Sequence, residues 1–216
     1  MKTNIHRLYT VFALGILFLF AACEQNDYLD DTGIHDANTP FNTYDYLAAH
    51  PYQYFDTLLT IIDHFQLEEE INQAGTFFAP TDRSIKLYLT AKQTSLQKED
   101  ENATYTLDDL LTNLPVDSVK QYLFNEKLLL DDLSTSETSF TTQASTSVRI
   151  QKVLQTDPSY YTWSTTPVYF LYYIKDIGLP NPVRVQCQTT GIKTQNGSGT
   201  ILHVFRNTHV FASFTN

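Results

Sequence analysis

The chain has 216 residues, 42% of them apolar and 13% aromatic, enough to bury one substantial core, and it carries a formal net charge of −10. That acidity repels the phosphates of nucleic acids and other anionic polymers, so DNA and RNA are not expected as partners. Its two cysteines, Cys23 and Cys187, cannot supply a disulfide framework, and the fold must rest on its core.

Lys2 and Arg7 form a short basic leader before an almost wholly apolar run over residues 11–20, which ends in Phe20-Ala21-Ala22-Cys23. The run is about half of the roughly 20 residues a membrane-spanning helix needs. It reads as a secretory signal with small residues at its cleavage site. Small-small-Cys at this point resembles the lipobox of bacterial lipoproteins. The resemblance implies that residues 1–22 are removed and that Cys23 is lipidated, palmitate being one such acyl chain. Several acyl chains on one residue hold a protein on a membrane stably. An ordinary signal peptide with an incidental cysteine is the plainer alternative. Glu24, Asp27, Asp30 and Asp31 follow at once. They look like the acidic export tag of surface-exposed lipoproteins in gut-type Gram-negative anaerobes, which implies an outer-membrane anchor facing outward; a solvated acidic linker would read the same way. Without Lys2 and Arg7, 12 basic residues face 24 acidic ones, a net charge of −12.

Residues 23–42, with Gly33 and Pro40 as breakers, read as an acidic tether, leaving residues 43–216 as a single domain. Thr43 is a candidate N-cap for "YDYLAAH", and Pro51 breaks that helix and fits the first turn of the next. In "PYQYFDTLLTIIDHFQL" Phe55, Leu58, Leu59, Ile62 and Phe65 fall on one helical face, with Asp56, Thr60, Asp63 and His64 opposite. "TFFA" is a short β-type run stopped by Pro80, whose missing N–H ends sheet pairing. Thr81 or Asp82 then caps a helix through "RSIKLYLTAK". Residues 93–106 are charged and loop-like, and "LDDLLTNL" and "DSVKQYLFNEKL" read as two short helices, the second capped by Asp117.

From about residue 128 the texture becomes β-like, beginning with "LLLDDL". Ten of the fourteen residues 134–147 are Ser or Thr, which suits exposed strands and turns. "SVRIQKVLQ", the aromatic run "PVYFLYYIKDI" and the alternating "PVRVQCQ" read as strands, and "GTILHVFRNTHVFASF" as two more, broken near Arg206 and Asn207. Helices first and strands later indicate an α+β domain.

Two stretches carry a family resemblance. "TFFAPTDRSI", with Thr76, Phe77, Phe78, Ala79, Pro80, Thr81 and Asp82, resembles the first signature of fasciclin-like domains, in which a strand ends at a proline and a helix opens. "NGSGTILHVFRNTHVF", with Ile201, His203 and Val204, resembles the second signature, about 120 residues on. The resemblance covers roughly residues 42–216 and implies a wedge-shaped β-sandwich of about seven strands with helices packed on one side. Phe77 would then anchor the core, and Asp82 would cap the helix that turns the chain back over the sheet. A third family feature, a Tyr-His pair linked to integrity and adhesion, falls near Phe124 and Asn125, where this chain has no histidine.

Enzyme chemistry needs convergent polar groups, and the sequence offers no motif for it. His35, His50, His64, His203 and His209 show no metal-ligand spacing, and His203 reads as a buried structural residue. Asp63-His64 has no nucleophile elbow beside it. Asp108-Asp109 and Asp131-Asp132 suit helix starts and turns, and Glu68-Glu69-Glu70 a solvated helix end. With seven glycines and no phosphate-cradling loop, no cofactor is expected. The aromatic surplus around Pro167 is the stronger signal. Tyr161, Trp163, Tyr169 and Tyr173 are candidate partner contacts if one face of "VYFLYY" stays exposed, whereas a strand buried on both faces would make them core. The expected function is a non-enzymatic, surface-anchored lipoprotein for adhesion or protein interaction, held to the membrane through Cys23. Its alternative is an accessory glycan-binding lipoprotein beside an outer-membrane importer of the starch-utilisation type, which the resemblance also implies.

Overall fold

The computed structural model describes residues 37–157, 167–178 and 180–213. Within the stretch read as tether, residues from Ala37 on already belong to the folded unit. The Lys193 amide donates to the Ala37 carbonyl at 2.8 Å, and the Thr39 amide donates to the Lys193 carbonyl at 2.9 Å. Helix α1 (Thr43–Ala48) is capped one residue earlier than expected, because Asn42 Oδ1 accepts the Asp45 amide at 2.7 Å. Helix α2 (Asp56–His64) buries Leu58, Leu59 and Ile62, as its apolar spacing predicts, and Ile61 beside them, while Phe65 is half-buried. It begins five residues after Pro51, since Gln53 adopts a left-handed φ of 51° that no helix tolerates. Helix α3 (Glu68–Gln73) leads into strand β1 (Thr76–Ala79), and the long helix α4 (Asp82–Leu96) follows.

Helix α5 (Leu107–Asn113) opens on a capping box between Thr106 and Asp109. Helix α6 (Asp117–Lys120) is shorter than the helical reading of "DSVKQYLFNEKL", because Leu123–Phe124 leaves it to form β2 against β1. Pairing with an existing edge overrides helix propensity there. The strands then run β3 (Thr138–Thr141), β4 (Ser147–Leu154), β5 (Tyr169–Lys175), β6 (Val183–Lys193) and β7 (Ile201–Phe205). Residues 128–133, expected to start the strands, form a turn instead. Residues 207–213 likewise form turns rather than a second terminal strand.

Among the described residues these seven strands make one mixed sheet in the order β2-β1-β7-β6-β5-β4-β3. Only β1 and β7 run parallel. The sheet curls until its ends meet: Phe124 bridges Thr142, and the Gln143 amide donates to the Leu123 carbonyl at 2.8 Å. The architecture is therefore α+β with a nearly barrel-like sheet, and the expected sandwich is met only at that coarser level.

All four residues of β1 are buried. Phe78 points to one side, stacking on His203 at 4.8 Å and on Phe205 at 5.7 Å, with Tyr173 edge-on at 5.5 Å. Alternation puts Phe77 and Ala79 on the other side, level with Leu202 and Val204 of β7. The same apolar cluster continues into α2, α3 and α4 through Leu58, Ile62, Ile71 and Ile85.

Candidate functional site

The two motifs that carry the family resemblance come together in space. Thr76, Phe78 and Ala79 lie opposite Ile201, His203 and Val204 in the parallel β1–β7 ladder. Thr76 Oγ1 donates to the Glu126 carbonyl and accepts the Leu128 amide, both at 2.8 Å. Thr81 Oγ1 donates to Asn207 Oδ1 at 2.8 Å. Each of these side chains is spent on folding. His203 is fully buried, its Nδ1 accepting the Gly191 amide at 3.1 Å and its Nε2 facing the Leu128 carbonyl at 2.9 Å. Burial pulls its pKa down to about 4, against a smaller opposing effect of the Leu128 bond. A second buried histidine, His209, sits 2.9 Å from the Tyr122 hydroxyl, and burial lowers its pKa to about 3. Tyr122 also accepts the Ala212 amide at 2.9 Å, which leaves its own proton to be given to His209. A Tyr-His pair thus exists, joined across 87 positions rather than within one helix.

The residues expected to touch a partner fare differently. Cys23, Tyr161 and Trp163 lie outside the described residues. Tyr169 is half-buried, with Lys152 Nζ 5.4 Å from its ring centre. Tyr173 is fully buried, donating its hydroxyl to the Gln121 carbonyl at 2.7 Å, and is a core residue rather than a contact. Burial in this apolar interior holds its phenol well above the usual range. On the outer face of β5 Phe170 and Tyr172 are half-buried, and the Arg184 guanidinium lies 4.5 Å from the Tyr172 ring.

Among the described residues, two of the exposed aromatics, Tyr52 and Tyr54, are instead at the turn between α1 and α2, and a third, Phe41, lies just before α1. Tyr52 is 72% exposed, Phe41 48% and Tyr54 47%. Pro51 ends the helical run, and with Gln53 left-handed the rings of His50, Tyr52 and Tyr54 cluster, His50 and Tyr52 lying 6.0 Å apart with 54° between their planes. His50 and Tyr54 stack at 5.0 Å with 29° between their planes, and Tyr52 and Tyr54 at 5.6 Å with 28°. Phe55, which is buried, meets His50 edge-on at 5.3 Å and ties the array to the core. The turn is also held from the far side. The Asp82 amide donates to the Tyr54 carbonyl at 2.9 Å, and the Asp82 carboxylate accepts the Thr57 and Leu58 amides at 3.0 and 3.1 Å. Asp82 therefore caps α2 rather than its own helix, because the exposed N–H groups of α2 point at it.

Two clefts adjoin the rings and share Tyr46 and His50. One, of about 230 Å³, lies between Phe41, Thr39, Ala49 and Pro51. The other, of about 100 Å³, runs between Tyr54 and the β6 residues Gln188, Thr189 and Ile192. The pairing of β6 with β7 slips on both sides of Thr189, and such bulges re-aim side chains. A larger cleft of about 680 Å³, between Asp63, Glu68, Glu69 and Gln195, is a polar helix-end surface without an exposed aromatic ring. Asp63 and Asn72 accept from Tyr44 there, and Glu69 accepts from Gln73. The rings and their two clefts are the better candidate, since they combine exposed apolar area with a built concavity.

This turn is hard to see in the sequence because Phe55, beside it, opens the apolar face of α2. The signal was nonetheless present: Tyr52 and Tyr54 fall off that face, beside a proline, with no core position to fill. Among the described residues no group of three or more His, Cys, Asp or Glu is placed to hold a metal ion. The arrangement offers ring faces, phenol and imidazole edges and two shallow clefts, which is the equipment of binding. Compared with models of known protein families and with curated proteins, the chain matches none of them.

Proposed function

We propose that this protein is a non-enzymatic, surface-anchored lipoprotein, tethered to the outer membrane through Cys23, whose fasciclin-like domain serves adhesion and interaction. The observation that carries the reading is the cluster of the exposed Tyr52 and Tyr54 with the half-buried His50 on the turn before α2. Exposed rings are costly to leave in water and valuable once covered, and aromatic anchors dominate binding energy at interfaces. The fasciclin-like part of the proposal is supported by the two motifs pairing strand to strand within the sheet. The membrane part is supported by the lipobox resemblance of residues 20–23.

Replacing both Tyr52 and Tyr54 by Ala is expected to weaken attachment of the purified domain to its target surface by at least ~10-fold, as loss of an interface anchor does. The melting temperature should barely move, because both rings project into solvent. Attachment unchanged in the double variant would sink the reading. Cys23→Ser should release the protein from the membrane fraction, measured by fractionation and by protease accessibility on intact cells.

A further inference from the structure

From the chemistry of the ring array we infer that its ligand is an uncharged saccharide chain, laid across Tyr52, Tyr54 and His50 and seated in the two clefts that share His50. The inference rests on the reading of this turn as the contact surface and adds what the surface recognises.

Charge is the first argument. The whole chain has 24 acidic residues, yet no Asp, Glu, Lys or Arg lines either cleft. An anionic sugar would approach an acidic protein with no cation waiting for it, and a cationic peptide would find no carboxylate. A neutral ligand meets neither penalty. Shape is the second. The three rings form a surface cluster rather than a ribbon or a pocket, with centres 5.0, 5.6 and 6.0 Å apart and planes 28° to 54° apart. The C–H faces of a pyranose carry slight positive charge and pack on the negative face of an aromatic ring. Each cleft is smaller than the roughly 300 Å³ at which drug-sized pockets begin, which suits single sugar rings in succession and not a helix. Spare hydrogen bonds are the third. Gln188 and Thr189 are exposed, and their side chains bond no other described residue. The slipped β6–β7 pairing sets this amide and hydroxyl beside Tyr54, where sugar hydroxyls would lie.

The test uses the full mature chain and a panel of neutral oligosaccharides, namely maltoheptaose, cellohexaose, mannohexaose and xylohexaose, with a hyaluronan oligosaccharide as acidic control. Binding is read by calorimetry and by tyrosine fluorescence. At least one neutral chain is expected to bind, with little dependence on salt. Tyr52→Ala and Tyr54→Ala should each weaken it at least ~10-fold, and Gln188→Ala less, in domains whose circular dichroism is unchanged. Periodate treatment of the target surface, which cleaves vicinal diols, should abolish attachment. Binding of none of the neutral chains, binding of the acidic sugar alone, or attachment that survives periodate overturns the inference. If Tyr52→Ala abolishes attachment while periodate does not, the contact surface stands and the saccharide falls. If attachment ignores both treatments, the surface and its ligand fall together.

Discussion

His203 and His209 sit inside the aromatic interior as neutral rings, and that makes each of them a pH-dependent liability. In the unfolded chain both titrate near 6.5, whereas burial lowers the folded values to about 4 for His203 and about 3 for His209. The unfolded state therefore binds more protons below pH 6.5, and stability falls as pH falls. Above pH 6.5 both rings are neutral in either state and their contribution is fully present. It is lost between 6.5 and the folded values, by about 1.4 kcal/mol per pH unit for each ring. The urea midpoint should thus drop steadily from pH 7 to pH 5. His209→Gln should make that slope about half as steep, since one of the two titrations is gone. A midpoint that stays flat from pH 7 to 5 would show that the rings are solvated in the folded protein. His203 is legible in the sequence as a strand residue facing the core. The Tyr122–His209 contact is not, because its partners are joined only by the tertiary fold.

At the scale of elements, the clasp between Asp82 and the start of α2 links the fold to the candidate site. Its carboxylate takes two amides of α2 while its own amide holds the Tyr54 carbonyl, so one residue fixes the turn that carries the rings. Asp82→Ala should cost about 1–3 kcal/mol, the range for a helix cap and for hydrogen bonds to a charged group. It should also weaken oligosaccharide binding although Asp82 lines neither cleft, and Asp82→Asn should recover part of both by keeping one acceptor. Equal affinity in the Ala variant would mean that the ring array holds its own shape. Sequence grammar placed a cap at Asp82 correctly but assigned it to the wrong helix. Spacing reports neighbours along the chain, and the amides it satisfies lie 24 and 25 positions away. The amphipathic face of α2 and the strand-stop-helix junction at Pro80 were legible because their causes are local. Strand β2 was not, since only the edge of β1 makes two residues after a helix extend.

At the scale of the whole molecule, the decisive contact is the parallel pairing of β1 with β7, position 76 opposite position 201. It joins the two motifs, places β7 between β1 and β6, and lets the sheet curl toward closure. Parallel neighbours so distant in sequence form late and slowly, because the loop entropy is met before the contacts reward it. The last segment of the chain should therefore be essential rather than ornamental. Ile201, Leu202, Val204, Phe205 and Phe211 are all buried. At roughly 1.5–3 kcal/mol for each large apolar side chain, their loss is comparable with the whole stability of an ordinary domain, roughly 5–15 kcal/mol. A chain ending at Gly199 would also leave Phe78 without two of its stacking partners and Tyr122 without His209. Such a chain should show no cooperative unfolding and a collapsed amide spectrum, with its helices reduced as well, since α3 and β1 are held through Thr200 and Ile201. Adding a peptide of residues 200–216 should restore a dispersed spectrum, because binding of the missing strand supplies the pairing on which β1 and β6 depend to fold. A sharp thermal transition in the truncated chain alone would place the folding core elsewhere, in the β3–β6 meander, and would make β7 an addition to a domain that stands without it.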